Sequence, residues 1–229
     1  MSYRRFYRKP YLAGHRRKAG IQMKRKGILI VISGFSGAGK GTLVKRLVEK
    51  YDSYALSISA TTRQPRPGEE DGREYFFLQK EQFEQKIAEN GLIEYACYCD
   101  NYYGTPREYV ERQLSDGKNV ILEIEIQGAL KIRQQYDDAL LLFVMPPSAA
   151  ELRRRLVGRG TETEEVIDKR MRRAAEEAEG IEEYDYIVIN DDLETCVGEL
   201  HEIVMAAHNT PNRNKEFIEN IRIELEGEK

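Results

Sequence analysis

Runs of β-branched and other apolar residues recur along the chain and predict strands that are buried on both faces. These runs cover residues 28–33, 119–126, 139–144 and 186–189. After each run, apolar residues repeat with the period of a helix, near 42–50, 127–136, 148–157, 163–179 and 192–207. Because strands alternate with helices, the pattern predicts an α/β protein with a parallel core sheet flanked by helices.

The segment from 57 to 107 breaks this alternation. It contains Pro65, Pro67 and four glycines. Short aromatic stretches around 75–77 and 94–96 predict small strands within it. We therefore expect a small subdomain inserted into the α/β core.

The composition describes a folded chain, since 41% of its 229 residues are hydrophobic and 33% are charged. The longest apolar run, 139–145, is far shorter than the ~20 residues that cross a bilayer. Cys97, Cys99 and Cys196 are too few for a disulfide framework and lack the four-ligand spacing of a zinc site. We expect a soluble, cytoplasmic protein that contacts no membrane.

Charge is distributed unevenly along the chain. Residues 1–26 hold ten of the 36 Lys and Arg and none of the 39 acids, which leaves the remainder at −13. A basic leader of this kind can bind nucleic acid or serve as an organelle transit peptide. A transit peptide usually contains more Ser than the single Ser2 found here. The composition favours a third interpretation, a disordered N-terminal extension over residues 1–25.

A glycine-rich turn follows the first predicted strand and leads into the first predicted helix. It consists of Gly34, Phe35, Ser36, Gly37, Ala38, Gly39, Lys40, Gly41 and Thr42. In such a P-loop, backbone N–H groups and the helix N-terminus surround phosphate oxygens, and the lysine adds charge for the β- and γ-phosphates. The turn therefore predicts a nucleoside triphosphate site. Gly41 stands where many P-loops carry a hydroxyl for Mg²⁺, and Thr42 offers the nearest one.

A second phosphate site is indicated by the proline-stiffened loop at 57–69. Arg63 and Arg66 can each present a planar fork to phosphate oxygens, and Tyr75 can donate its phenolic hydroxyl to the same group. The alternative is a solvated turn whose arginines face water.

Several motifs together resemble the guanylate kinase family. Besides the P-loop they are SISATTRQPRPGE at 57–69, IEYA at 93–96, NYYGT at 101–105, LEIEIQGA at 122–129, GRGTETEE at 158–165 and VINDD at 188–192. The resemblance spans about 26–207 and follows the family's order and spacing. It implies a P-loop nucleoside monophosphate kinase fold that phosphorylates GMP to GDP with ATP.

The resemblance also implies three functional parts within a kinase domain over 26–229. The core, which holds ATP, covers about 26–57, 108–152 and 172–229. The GMP-binding subdomain covers about 58–107, and the helical lid about 153–171.

Site residues are implied by the same resemblance. The contacts to the GMP phosphate are Ser59, Arg63, Arg66, Tyr75 and Tyr103. The contacts to the guanine ring are Glu94, Thr105 and Glu125. A carboxylate can accept the adjacent N1–H and N2–H₂ of guanine, whereas adenine has an acceptor at N1 and no amine at C2. A glutamate at position 94 therefore predicts GMP, and also dGMP, as the phosphoryl acceptor.

Further residues match the family's ATP-side positions. Arg155, Arg159 and Arg170 match lid arginines and, with Lys40, are the predicted catalytic residues. Asn190 matches a contact to the adenine of ATP, although Asn190, Asp191 and Asp192 together also fit the N-cap of the following helix.

Two carboxylates are expected at the end of the second core strand. Glu123 and Glu125 alternate with apolar residues, which predicts that both leave one face of the strand spanning 119–126. We assign Glu123 to Mg²⁺ through water, with Thr42 as a second candidate.

The predicted mechanism needs no protein base, because a phosphate monoester with a second pKa of ~6 is mostly a dianion at neutral pH. Two other interpretations stay open. One is a non-catalytic guanylate-kinase-like module that binds a protein partner, and the other is a nucleoside monophosphate kinase for another base. The intact P-loop argues against the first, and the guanine-reading residues argue against the second.

Overall fold

A computed structural model describes residues 25–98, 100–158, 160 and 163–227. The strands in these ranges are β1 Leu29–Gly34, β2 Tyr54–Leu56, β3 Ala60–Thr61, β4 Phe76–Phe77, β5 Leu92–Tyr98, β6 Asn101–Pro106, β7 Asn119–Glu123, β8 Leu140–Met145 and β9 Tyr186–Ile189. The helices are α1 Lys40–Lys50, α2 Lys80–Ala88, α3 Arg107–Ser115, α4 Ile126–Gln135, α5 Ala149–Gly158, α6 Glu164–Ala178, α7 Leu193–Ala207 and α8 Lys215–Gly227. Short 3₁₀ turns cover Ile181–Glu183 and Pro211–Asn214.

The main sheet has the strand order β2-β7-β1-β8-β9, and its neighbouring strands are parallel. In the centre, Ile30 pairs with Ile121 on one side and with Leu140 on the other. The predicted α/β class with a parallel core sheet is confirmed. Because the strands are parallel, their carboxyl ends lie along one edge, where such sheets bind ligands.

Both faces of the sheet are buried, which explains why β1 reads as a continuous apolar run. Ile30 and Ile32 face one core with Leu43 and Leu47 of α1, and α7 contributes to the same core. Residues on the opposite face of β1 enter a second core with α3 and α4, formed by side chains that include Leu29, Val31, Val110, Leu114, Ala129 and Ile132. Burial on both faces fixes the position of β1 and of the turn that follows it.

The predicted strand over 119–126 is wrong at its end. β7 stops at Glu123, and Glu125 is the N-cap of α4, whose first residue is Ile126. Ile124 makes a last contact to the sheet through its N–H, which donates to the carbonyl of Ile32 at 3.3 Å. The apolar alternation continues because Ile124 and Ile126 still pack against the two cores, although from a turn and a helix.

A second sheet, with the order β4-β3-β6-β5, is formed within the segment that breaks the alternation. β3 pairs parallel with β4 and antiparallel with β6, which in turn pairs antiparallel with β5. Phe83 of α2 is fully buried against this sheet with Ala60 and Leu92, and its ring stacks on Tyr102 with 5.2 Å between centroids. This segment therefore has its own small core.

Arg107 connects the second sheet to the main core. Its guanidinium donates to the carbonyls of Asn90 at 3.0 Å and Leu92 at 3.2 Å. It also donates to Oε1 of Gln135 at 3.0 Å and to the hydroxyl of Tyr136 at 2.7 Å. The first two acceptors flank the start of β5, and the other two lie at the end of α4.

In the part of the chain that the structure describes, no helix is both long enough and apolar enough to span a membrane. Cys97 is exposed and Cys196 is buried, and both are free thiols. The predicted N-terminal extension, up to residue 24, and Cys99 lie outside the described residues.

Candidate active site

The glycine-rich turn joins the end of β1 to the start of α1 at the carboxyl edge of the main sheet. Gly39 has a φ of 89°, in the left-handed region that residues with a Cβ disfavour. A Cβ on Gly39 would also lie 2.5 Å from Nδ2 of Asn190. The turn is thus packed against the end of β9 while its backbone curls ahead of α1, as a P-loop requires.

Lys40 bridges the two ends of this loop. Its Nζ donates to the carbonyl of Gly34 at 2.6 Å and to that of Phe35 at 3.2 Å. The ammonium therefore lies at the start of the loop, although the residue belongs to the first turn of α1. This places a positive charge beside the backbone that is expected to surround phosphate.

Asn190 and Arg155 support the far side of the loop. Nδ2 of Asn190 donates to the carbonyl of Ala38 at 2.8 Å, and the residue is only 7% exposed. The Arg155 guanidinium donates to the Asn190 carbonyl at 2.8 Å and to the Ala38 carbonyl at 3.3 Å. Nε of Arg155 also donates to Oε1 of Glu151 at 2.6 Å. Arg154, followed by Arg155, lowers the pKa of the Glu151 carboxyl to about 2.

The helix N-cap predicted over residues 190–192 is confirmed, and its last residue makes the cap. The cap of α7 is Asp192, whose Oδ1 accepts the backbone N–H of Thr195 at 2.9 Å. Asn190 instead points back to the loop, because its side-chain amide is the partner of Ala38. The contact to adenine stays a prediction.

A second arginine reaches the loop from α6. The Arg170 guanidinium donates to Oγ of Ser36. Two of the three predicted lid arginines therefore contact the P-loop, one from α5 and one from α6. The third, Arg159, lies outside the described residues.

Glu123 lies at the exposed end of β7, beside the first turn of α1. A Cβ on Gly41 would be 3.8 Å from its Oε2. The surrounding protein partly desolvates the Glu123 carboxyl and so raises its pKa. The charge of Lys40 opposes this rise in pKa, and the charge of Glu125 adds to it. The carboxylate therefore stands next to the position where many P-loops carry the hydroxyl for Mg²⁺. Thr42 is exposed in the same turn.

The residues around Glu123 fit an ion that is carried by phosphate. Among the described residues, no group of three His, Cys, Asp or Glu side chains converges to hold a metal ion. Mg²⁺ usually keeps several waters and takes one or two carboxylates plus substrate phosphates. One carboxylate beside a P-loop matches that demand.

The structure brings three of the predicted phosphate contacts together on the second sheet. The guanidinium of Arg63 lies over the ring of Tyr75, 5.4 Å from its centroid, and that ring lies 6.1 Å from the ring of Tyr103. Arg66 is exposed on the adjoining turn, and Ser59 is half-buried just before β3. An arginine and two phenols can together bind a phosphate monoester.

Two of the predicted guanine contacts bond to each other, and the third pairs with an arginine of α6. The hydroxyl of Thr105 donates to Oε1 of Glu94 at 2.7 Å. Burial raises the pKa of the Glu94 carboxyl, while Thr105 and the charge of Lys131 oppose the rise. Glu125 is exposed, and its Oε2 pairs with Arg173 of α6 at 3.1 Å. The prediction that Glu125 shares a strand face with Glu123 is wrong, since Glu125 caps α4.

Comparison with known proteins assigns the chain to a family. The model of the guanylate kinase family matches residues 26–207. The chain belongs to the guanylate kinase family. The guanylate kinase of Halalkalibacterium halodurans is 54% identical over 185 residues, which are 81% of this chain and 91% of the relative. That of Caldanaerobacter subterraneus subsp. tengcongensis is 48% identical over 204 residues, 89% of this chain and 99% of the relative.

The fold agrees with this assignment. The crystal structure of guanylate kinase from Anaplasma phagocytophilum is similar with a TM-score of 0.63 and 32% sequence identity, over 82% of this chain and 90% of that chain. The resemblance drawn from the motifs is therefore confirmed, and this member of the guanylate kinase family is a kinase of the transferase class.

Sequence reasoning missed several side chains that shape this guanylate kinase site. Two of them form ion pairs with predicted substrate-binding residues, Glu69 with Arg63 and Arg173 with Glu125. The third, Lys131, opposes the rise in the pKa of Glu94. Glu69 lies within the motif at 57–69, but nothing in the spacing of that motif shows that its side chain pairs with Arg63. Glu151 and Arg155 stand at the i,i+4 spacing that is common on solvated helix faces, yet their side chains are only 19% and 21% exposed. That pair therefore supports the loop.

Proposed function

We propose that this chain catalyses the Mg²⁺-dependent transfer of the γ-phosphoryl group from ATP to GMP, which yields ADP and GDP. The observation that carries the proposal is the presence of two separate anion-binding sets. One is the P-loop with Arg155 and Arg170, and the other is the cluster of Arg63, Tyr75 and Tyr103. A kinase that joins two nucleotides needs one such set for each.

The ATP side rests on the P-loop. Backbone N–H groups of residues 34–42 and the N-terminus of α1 bind the phosphates, and Lys40 supplies a point charge. We assign Asn190 to the adenine side, and its contact with Ala38 of the P-loop supports this. Arg155, Arg170 and, by the family pattern, Arg159 balance the charge of the phosphoryl group as it moves.

The GMP side rests on the second sheet. Arg63, Arg66, Tyr75, Tyr103 and Ser59 bind the phosphate. Glu94, held by Thr105, accepts the two N–H groups on one edge of guanine. Glu125 completes the base site from the start of α4, which requires that it leave or share Arg173. The same contacts accept dGMP, because none of them uses the 2′-hydroxyl.

In the proposed reaction an oxygen of the GMP phosphate attacks the γ-phosphorus of ATP in line, and ADP leaves. At neutral pH the acceptor is mostly a dianion, so no protein base takes a proton. Lys40 and the arginines of α5 and α6 position two anions and offset their repulsion. Closure of the residues around 153–171 excludes water, which would otherwise accept the phosphoryl group.

Mg²⁺, when bound with ATP, would neutralise charge on the transferred group. Glu123, which lies next to Gly41, would hold the ion through water. Thr42 lies in the same turn, and its hydroxyl is accessible to phosphate or to the ion. The chain contributes few ligands of its own, so the ion is bound together with ATP.

Three functional parts follow from this assignment. The second sheet and its flanks, about 58–107, form the GMP-binding part. Residues from about 153 to 171 form the lid, and the remainder of 26–229 forms the ATP-binding core.

A panel of acceptors tests the proposal. ADP release in the presence of ATP and Mg²⁺ is measured with GMP, dGMP, AMP and UMP. We expect GMP and dGMP to be phosphorylated, with AMP disfavoured by about 10⁴-fold, because its edge leaves Glu94 without partners. Absence of release with GMP would indicate the non-catalytic module, and preference for AMP or UMP would indicate a kinase for another base.

A further inference from the structure

Glu69 binds both arginines of the predicted phosphate loop. Its Oε1 accepts from Nη2 of Arg63 at 2.9 Å, and its Oε2 accepts from Nη1 of the same residue at 3.0 Å. The same Oε2 also accepts the backbone N–H of Arg66 at 2.7 Å. One carboxylate therefore fixes the side chain of one arginine and the main chain of the other.

This ion pair differs from its neighbours on the loop. The side chains of Arg63 and Glu69 are 16% and 17% exposed, whereas those of Arg73 and Glu70 are 53% and 70% exposed. Arg63 and the backbone of Arg66 hold the pKa of the Glu69 carboxyl below its ordinary value, so it stays ionised at neutral pH. Solvated pairs of the second kind contribute little order, but a half-buried bidentate pair restricts a side chain.

The geometry leaves one edge of the Arg63 guanidinium for another anion. Both N–H groups of Nη1 are used, one by Glu69 and one by the carbonyl of Gln64 at 2.7 Å. Nη2 uses one N–H for Glu69. The Nε–H and the second Nη2–H are used by neither Glu69 nor Gln64, and together they form the planar fork that matches a phosphate.

The faces of the same guanidinium are also held in place. Its centre lies 5.4 Å from the ring centroid of Tyr75 and 5.8 Å from that of Phe77. Glu69 is the main cause that raises the pKa of Arg63, and Tyr103 adds to the rise, so this phenol is near the guanidinium as well. Glu69 therefore restrains the guanidinium from its end, and the two rings pack against it.

We propose that Glu69 is a positioning residue for the acceptor phosphate. It holds Arg63 by the end of its guanidinium so that the side edge meets the phosphate of GMP, and it fixes the turn that carries Arg66. This inference rests on the proposed function, because it takes GMP as the ligand. In the alternative, Glu69 occupies the position of the phosphate and must move away when GMP binds. The alternative is disfavoured because Glu69 binds the end of the Arg63 guanidinium and not its Nε–Nη2 edge.

Two variants and a matched control test the proposal. Glu69→Ala removes the clamp, and Glu69→Gln keeps the shape with one acceptor and no charge. Glu70→Gln removes the same charge from the next residue, whose partner is Arg73 rather than Arg63. We expect Glu69→Ala to raise the KM for GMP by about tenfold or more, with the turnover number at saturating GMP and the KM for ATP little changed. Glu69→Gln should lie between Glu69→Ala and the wild type, and Glu70→Gln should match the wild type.

Calorimetric binding of GMP and of guanosine separates positioning from folding. Guanosine lacks the phosphate, so Glu69→Ala should weaken GMP and leave guanosine unchanged. Equal weakening of both ligands would mean that the residue only supports the fold, and unchanged or tighter GMP binding would mean that it competes with phosphate; either result overturns the proposal. A wild-type chain that binds GMP without releasing ADP would overturn the proposed function alone, and one that does not bind GMP would overturn both.

Discussion

The hydroxyl of Thr105 donates a hydrogen bond of 2.7 Å to Oε1 of Glu94. Thr105 is 1% exposed, and burial raises the pKa of the carboxyl above its ordinary value of 4.5. The pair therefore holds a charge in a place that disfavours it. Binding of guanine would supply the missing donors, so substrate affinity and folding stability make opposite demands on Glu94.

Glu94→Gln should weaken GMP binding. The amide has one acceptor, and its NH₂ group faces the N–H donors of guanine. We expect the KM for GMP to rise by about 10- to 100-fold, in line with the cost of leaving buried polar groups unpaired. The KM for ATP, measured in the same assay, should change little. An unchanged KM for GMP would remove Glu94 from the guanine site.

The same variant should be more stable than the wild type at neutral pH. Because the folded pKa of Glu94 is raised, ionisation favours the unfolded chain, and this cost disappears as the pH falls through the raised pKa towards 4.5. The melting temperature of Glu94→Gln should exceed that of the wild type at pH 7.5, and the difference should shrink at pH 4.5. A difference independent of pH would show that Glu94 is not the group responsible.

Gly39→Ala should abolish productive ATP binding. Its φ is 89°, and the added Cβ would lie 2.5 Å from Nδ2 of Asn190, which must then leave the carbonyl of Ala38. Gly68→Ala is the matched control, because Gly68 has the same φ of 89° with nothing within 4 Å of its Cβ position. Both variants should lose about 1 kcal/mol from backbone strain. Only Gly39→Ala should raise the KM for ATP, and an equal rise in both would discard the steric argument.

Lys40→Ala should lower turnover by about two orders of magnitude or more, because the variant lacks the ammonium group that stabilises charge on the transferred phosphoryl group. GMP binding in a calorimetric titration should be nearly intact, because the predicted GMP contacts lie on the second sheet. The variant also loses two hydrogen bonds to the loop carbonyls, so nucleotide-free stability is measured alongside. A comparable loss of GMP affinity would contradict the assignment of Lys40 to ATP.

Acid should destabilise the protein through His208. Burial, followed by the charges of Arg213 and Arg25, lowers the pKa of this imidazole from 6.5 to about 4, and one ring nitrogen lies 3.0 Å from Oδ1 of Asn119. A depressed pKa means that stability is complete above about pH 6.5 and is lost as the pH falls towards 4.

The loss is at most about 3 kcal/mol, and urea denaturation between pH 7 and pH 4 measures it. His208→Gln should flatten the pH dependence over that range. If the slope is the same in the variant, other groups account for it.

Much of the main sheet could be predicted because its signal is local. β8 is apolar at every residue and β1 is apolar over its first four, and burial on both faces makes that pattern unambiguous. The end of β7 could not be predicted, since Ile124 and Ile126 satisfy the same cores from a turn and a helix. Periodicity reports which side chains are buried, and it does not report the backbone that buries them.

The candidate site, too, could be predicted from the sequence only in part. The P-loop is contiguous, so its glycines and Lys40 could be assigned from spacing alone. The partners of those residues come from distant segments, as Asn190 does for Ala38 and Glu69 does for Arg63. Such contacts depend on how loops are folded against the sheets, and one sequence carries no signal for them.

Arg107 has a mechanical consequence. Its four acceptors lie on both sides of the boundary between the small sheet and the main core, within the reach of a single guanidinium. One side chain thus joins the two parts of the molecule by four hydrogen bonds, and its loss would remove all four at once.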